Sequence, residues 1–258
     1  MKPYLDFGSF ELPAYAVMVF SGLILGIVIS VIRAKKLKLD RLYVVLSSIF
    51  IVIGLLFGAK ILFAITTLPE IFSHLDLLKE YPAESIGYMF SGFVFFGGLI
   101  GALLFLKMFA FQFNQPFWKY IDLFVPVFPL VHAIGRIGCF LAGCCYGMEW
   151  HGIFSVTYPN DAIVEGVNLV PRFPVQILES ILNLGLFIGL LLYSRKPRRE
   201  GNVLGVYLIS YSIMRFFVEF LRDDSYRGHF LGISTSQWIG LILIPVGIYI
   251  LKRKKKDA

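Results

Sequence analysis

A chain of 258 residues that is 57% hydrophobic and 16% charged, with a mean hydropathy of +0.76, carries more apolar surface than an ordinary soluble domain can bury. It predicts a single-domain integral membrane protein, long enough for several spans of about 20 residues and leaving no room for a separate soluble domain. The net charge of +7 sits in short Lys/Arg runs between apolar segments, the pattern of topological anchors and not of a nucleic-acid surface, so no nucleic-acid partner is expected.

The first apolar run, residues 12–32, is too long for the core of a cleavable signal peptide, and its basic cluster (Arg33, Lys35, Lys36, Lys38, Arg41) follows it. A retained helix with its N-terminus outside is expected. The second span, 42–67, contains Lys60. A mixed loop over 68–86, with Pro69, His74 and Pro82, leads to a third span over 87–110 that carries Gly97-Gly98-Leu99-Ile100-Gly101. Residues 111–120 read as a short amphipathic connection. The fourth apolar stretch, 121–147, holds Asp122, Pro126 and Pro129 and predicts a kinked or broken helix. Residues 148–172 are polar, with a Tyr158-Pro159-Asn160-Asp161 turn, and suit an ordered extramembrane loop or small hairpin. Three further spans follow at 173–193, 202–221 and 234–251, the last ending in the basic tail 252–258.

The expected fold is therefore all-α with seven transmembrane helices, N-terminus out and C-terminus cytoplasmic. That arrangement places 16 of the 24 Lys and Arg on the cytoplasmic side and five on the other, and leaves Lys60, Arg136 and Arg215 within spans.

Intramembrane charge is the sharpest functional signal. An arginine at membrane depth costs about 2.5–3.5 kcal/mol on insertion scales, so it faces a protein interior or wet cavity and meets an anion there. Arg136 lies in His132-Ala133-Ile134-Gly135-Arg136-Ile137-Gly138, and Arg215 precedes Glu219 by one helical turn, which leaves open whether Arg215 serves a ligand or only neutralises that carboxylate. The guanidinium fork suits phosphate, and both segments end at outer loops, so an anionic lipid headgroup is the expected ligand. His132, one turn before Arg136, reads as a general base or as a hydrogen-bonded structural histidine. Lys60 reads as a cavity residue or a snorkelling one, and Tyr15, Tyr146 and Tyr211 as headgroup contacts or packing aromatics. Gln176 and Glu179, at the start of an apolar span, suit bonds across helices. Cys139, Cys144 and Cys145 lack CxxC spacing, and an odd, clustered set makes no disulfide framework; they read first as small packing residues, with metal ligation and a catalytic thiol as alternatives. No metal and no cofactor is expected.

The Gly135-Arg136-Ile137-Gly138 core with Phe140, Gly143 and Gly147 resembles the signature of the prolipoprotein diacylglyceryl transferases of the bacterial inner membrane. Gly97 to Gly101, Pro174 with Gln176 and Glu179, Tyr211 to Arg215 with Glu219 and Arg222, and Ser236-Gln237 match further motifs in order over nearly the whole chain. The resemblance implies transfer of the diacylglyceryl group of phosphatidylglycerol to the lipobox cysteine of a preprolipoprotein, forming a thioether and releasing glycerol 1-phosphate. It implies a multi-pass protein of the inner membrane, with phosphatidylglycerol, the lipobox peptide and membrane lipids as partners; a monomer is expected. It assigns phosphate binding to Arg136 and Arg215, active-cavity positions to Tyr15, Tyr211 and Glu219, and substrate contacts to Lys60, Gly97, Gly98, Gly135, Gly138 and Arg222.

Two departures matter. The histidine often found before the Gly-Gly-Leu-Ile-Gly motif is Phe96 here, and the asparagines and acidic residue common after the central arginine are Cys139, Ala142 and Cys144. Phenylalanine takes no proton. The base then falls to His132 or Glu219, or the arginines acidify the thiol enough to do without one. A phospholipid-binding paralogue with altered or lost activity is the alternative reading. A transporter rests on buried charge alone, without the inverted repeats such folds often show.

Overall fold

The structure, a computed structural model, describes residues 2–6, 8, 10–73, 81–89, 91–160, 162, 164, 166–223, 229–230 and 232–253. The basic tail beyond Arg253, together with His74, Lys79, Asp161 and Arg227, lies outside the described residues.

Among those residues the fold is almost entirely helical. A short antiparallel pair, β1 (Tyr4–Asp6) and β2 (Glu11–Pro13), precedes α1 (Ala14–Ala34). Next come α2 (Arg41–Ser73), α3 (Pro82–Met89), α4 (Phe95–Gln112), α5 (Phe117–Phe124) and α6 (Val127–Ala142). They are followed by α7 (Val175–Tyr193), α8 (Asn202–Val218), a small pair β3 (His229–Phe230) and β4 (Ile233–Ser234), and α9 (Thr235–Lys252). With α5 and α6 taken as one interrupted span, seven segments among the described residues are long and apolar enough to cross a membrane.

Three boundaries differ from the sequence expectation. Helix α2 runs through Pro69 to Ser73 where a loop was expected from residue 68. The expected third span begins late, at Phe95, because Pro82–Met89 forms a helix of its own. The amphipathic connection shrinks to a tight turn at Asn114, whose φ is +50°, and Phe117 already opens α5.

The expected break is present at Val125-Pro126. Pro126 is the N-cap of α6 and Pro129 lies in its first turn, where a backbone N–H would have no intrahelical acceptor, so neither proline costs the helix a hydrogen bond.

The chain forms two compact units, residues 1–33 with 121–258, and residues 34–120. In the second unit α2 packs along α4 at backbone contact: a Cβ on Gly97 would collide with the Gly58 carbonyl oxygen, and one on Gly101 with the Gly54 carbonyl oxygen. Beside this contact, Tyr43, Phe50, Phe113 and Tyr120 pack around the buried Phe109.

In the first unit the interrupted span is the central element. Inside it 67% of the α5–α6 window is buried, against 17% for the windows of α1 and α9, which present Phe20, Ile24, Ile32, Ile242 and Tyr249 outward. Polar side chains tie neighbours to this centre. Asp122 accepts the Gly201 N–H at 2.7 Å and so satisfies a donor at the start of α8. Arg33 donates to the Leu123 carbonyl at 2.5 Å and to Ser194 at 3.2 Å, and Ser180 of α7 donates to the Ala133 carbonyl of α6 at 2.9 Å. Arg199 donates to the Ile250 and Leu251 carbonyls at 2.6 and 2.7 Å, capping the end of α9.

Candidate functional site

Three arginines meet on one carboxylate in the first unit. Glu179, in the second turn of α7, is 1% exposed, and an uncompensated charge so buried would ionise at prohibitive cost. Its Oε2 lies 2.6 Å from Arg136 Nε, while its Oε1 lies 2.8 Å from Arg222 Nη1 and 3.4 Å from Arg215 Nη1. The four residues come from α6, α7, the last turn of α8 and the segment just after it. Glu219 pairs with Arg215 across one helical turn. Among the described residues the three guanidinium groups share the two carboxylates of Glu179 and Glu219.

The remaining candidates surround this hub. His132 Nε2 accepts the Arg136 Nε–H at 3.1 Å and lies 3.9 Å from Glu179 Oε2. Because Nε2 is an acceptor, the neutral ring carries its proton on Nδ1. Tyr211 tilts against the His132 ring, centroids 5.8 Å apart, and stacks on Tyr207 at 5.5 Å. Ser236, in the first turn of α9, accepts from Arg215 Nη2 at 3.2 Å; the capping box between Ser234 and Gln237 fixes that turn.

The glycines divide by role. A Cβ on Gly138 would stand 3.0 Å from the Cα of Tyr15, so Gly138 lets α1 approach α6 and sets Tyr15 beside the signature segment. A Cβ on Gly135 would meet only Val19, at an ordinary 3.7 Å, so close packing does not demand a glycine there.

Lys60, Gly97 and Gly98 belong to the second unit. The Lys60 ammonium stands 4.1 Å over the Phe93 ring, and Phe96 packs edge-on against Phe95 at 5.7 Å. Within that unit Gly97 and Gly98 serve the contact of α2 with α4.

The α6 terminus carries the cysteines. Gly143 caps the helix at φ +70°, in the left-handed region that glycine adopts without strain, and turns the chain back. Cys145 follows at φ +56°, a conformation that costs a side-chain-bearing residue about 1–2 kcal/mol. Together they bring the sulfurs of Cys139, Cys144 and Cys145 within 4.8 Å of one another. The Cys144 carbonyl is held at 2.8 Å by Gln176 Nε2, and Gln176 lies one turn before Glu179 on α7. Hydrogen bonds with Cys139 and Cys144 draw the Cys145 thiol below the usual thiol range, with Arg136 and Arg222 adding to the effect; the Cys139 partner pushes Cys144 up. Burial pushes Tyr158, which exchanges hydrogen bonds with Gln176, up to about 12.

An open groove of about 560 Å³ on α7, α8 and the residues just after α8 is lined by Leu178, Leu182, Ser210, Ile213, Met214, Phe217, Val218 and Leu221.

The sequence model of the family described as prolipoprotein diacylglyceryl transferase matches residues 3–253. The chain belongs to that family. It is 33% identical over 251 residues to the phosphatidylglycerol--prolipoprotein diacylglyceryl transferase of Clostridium tetani, covering 97% of this chain and 96% of that one. A Clostridium perfringens relative with the same name and the suffix 2 is 33% identical over 94% of this chain and 91% of its own length. The Polynucleobacter asymbioticus transferase is 31% identical, with 98% and 95% covered. Arg136, Arg215, Arg222, His132, Tyr211 and Glu219, singled out in the sequence by intramembrane charge and motif, come together around Glu179. Glu179 makes the cross-helix bonds expected of it, and that three guanidinium groups share it is what the sequence does not show; the available signal was a carboxylate in the first turns of an apolar span.

Proposed function

We propose that this protein transfers the diacylglyceryl group of phosphatidylglycerol to the thiol of a prolipoprotein lipobox cysteine, forming a thioether and releasing glycerol 1-phosphate. The observation that carries this reading is the convergence of Arg136, Arg215 and Arg222 on one buried carboxylate, in a chain matched almost end to end by the family.

The reaction is an S-alkylation. The acceptor thiolate attacks the glycerol carbon that bears the phosphate ester, the carbon–sulfur bond forms, and the carbon–oxygen bond breaks with its electron pair leaving on phosphate. The site has to grip the phosphodiester and offset the charge that grows on the departing oxygen. Arg136 and Arg215 have the forked donors for this, and Arg222, through Glu179, holds the pair in register. Glu179 keeps the guanidinium groups from repelling one another before the lipid arrives. The apolar groove on α7 and α8 suits an acyl chain of the donor while its headgroup lies at the hub.

His132 and Glu219, the two candidate bases, are both engaged with arginines, His132 through Nε2 and Glu219 through its carboxylate. This favours thiolate formation driven by the local positive potential over abstraction by either side chain. Tyr15, Tyr211, Gly135 and Gly138 are read as the walls of the headgroup site, and Lys60, Gly97 and Gly98 are read as substrate contacts on the family's motifs alone. The family match runs through both units, which supports a single functional domain over 1–258. The basic clusters support an N-out, C-in orientation in the bacterial inner membrane, with 148–172 outside, and the protein is read as a monomer.

The test is direct. Membranes or detergent-purified protein, given phosphatidylglycerol and a lipobox peptide, should convert the peptide thiol to a diacylglyceryl thioether, detected by mass spectrometry. An unmodified peptide, under conditions in which the Clostridium tetani relative works, would remove the proposal; bound phosphatidylglycerol without turnover would instead favour the lipid-binding alternative.

A further inference from the structure

The three cysteines beyond α6 sit too close together, and too near the arginine hub, to be dismissed as packing. Cys139 lies one turn after Arg136 on the same helix, the left-handed turn at Gly143 folds Cys144 and Cys145 back toward it, and all three sulfurs fall within 4.8 Å of one another. Thiolates bound to one tetrahedral zinc at about 2.3 Å lie roughly 3.8 Å apart, so side-chain rotation of about 1 Å closes the set. Gln176 fixes the Cys144 carbonyl, and the strained Cys145 backbone is the kind of local cost that a functional arrangement sustains. Among the described residues no histidine, aspartate or glutamate joins the three within that radius, which leaves a tetrahedral ion one open position.

We propose that Cys139, Cys144 and Cys145 bind one Zn²⁺ whose fourth position takes the acceptor thiol of the peptide substrate. The inference rests on the transferase reading and supplies what Phe96 removes, a means of making thiolate where a histidine is absent. On coordination the acceptor thiol loses its proton to solvent and becomes a zinc-bound thiolate. Its sulfur lone pair then forms the bond to the glycerol carbon as the bond to the phosphate oxygen breaks, and the neutral thioether product is a weaker ligand and leaves. Nothing is oxidised or reduced. Three thiolates and a dication carry one net negative charge, and Arg136 stands one helical turn before Cys139 on the same helix.

Full-length protein purified in detergent without added metal or chelator should contain about one zinc per chain by elemental mass spectrometry. Exchange for Co²⁺ should give a thiolate-to-cobalt charge-transfer band, and Cys144→Ser and Cys145→Ser should each lose the metal and the band. Chelation should lower thioether formation by about 100-fold, with recovery on Zn²⁺ addition. Wild-type protein that neither retains zinc nor develops the cobalt band overturns the site, as does a mass showing two of the thiols joined as a disulfide. Zinc at full occupancy with undiminished transfer after its removal overturns the acceptor role while leaving the transferase reading in place. Zinc at full occupancy in a protein that makes no thioether overturns the transferase reading, and the acceptor role with it.

Discussion

Arg136 and Arg215 reach Glu179 from different helices, so the two guanidinium groups answer to the same carboxylate and should respond alike to a change of shape at constant charge. Arg136→Lys and Arg215→Lys replace a planar fork by a point charge. Each should lose a charge-assisted hydrogen bond of about 1.5–3 kcal/mol, lowering kcat/KM for thioether formation by roughly 10- to 100-fold. Equal rates in all three proteins would count against phosphate gripping. Glu179→Gln should behave differently, because it removes the carboxylate that, among the described residues, pairs with all three arginines. Breaking a buried ion pair costs about 3–5 kcal/mol, so its first effect should be a thermal midpoint in detergent lower by roughly 10 °C. The arginines were legible in the sequence because charge inside an apolar span stands out by itself. The focus of the cluster was not, because its contacts join segments far apart in the chain that share no periodicity. The cysteines read first as packing residues, with metal ligation and a catalytic thiol as alternatives, and spacing alone does not show that Gly143 turns the chain back on Cys139.

Helical segments came through the sequence most faithfully where the apolar run had no competing signal, as in α7 and α8, whose limits match the expected spans closely. The break expected at Pro126 and Pro129 is present, but the two prolines of the expected loop lie in helices. Pro69 lies inside α2, carried by the apolar run around it, whereas Pro82 opens a separate helix, and a proline in the sequence does not declare which of these it does. Glycine pairs make the sharpest comparison at this scale. Gly97→Val would drive a side chain into the Gly58 carbonyl of α2, so it should separate α2 from α4 and destabilise the protein by about 1–3 kcal/mol or more. Gly135→Ala meets only Val19 and removes a helix-interior glycine, so its thermal midpoint should hold or rise, by up to about 1 kcal/mol of stability, while activity falls if the bare backbone faces the headgroup. Thermal melts of the two variants beside thioether assays separate a packing role from a binding one.

The membrane character of the whole molecule was legible from composition, and the seven spans are present among the described residues. Orientation rests on charge: with most basic residues gathered at one set of helix ends, a C-terminal alkaline phosphatase fusion should be inactive and a C-terminal green fluorescent protein fusion bright. The reverse pattern would invert the topology and put the arginine hub near the wrong leaflet for a lipobox peptide already exported. Some of those basic residues also bind helix ends, as Arg199 does to the last carbonyls of α9, so removing them would weaken the fold as well as the positional signal.

The groove on α7 and α8 bears on which fatty acids the proposed donor can carry. Its walls are Leu, Ile, Met, Phe and Val beside Ser210, and a tail that enters from surrounding lipid or detergent exchanges one apolar medium for another, so each added methylene should change affinity little. A homologous series of phosphatidylglycerols, compared at equal detergent loading, should therefore show a nearly flat KM. A protein with this architecture would tolerate many fatty acids.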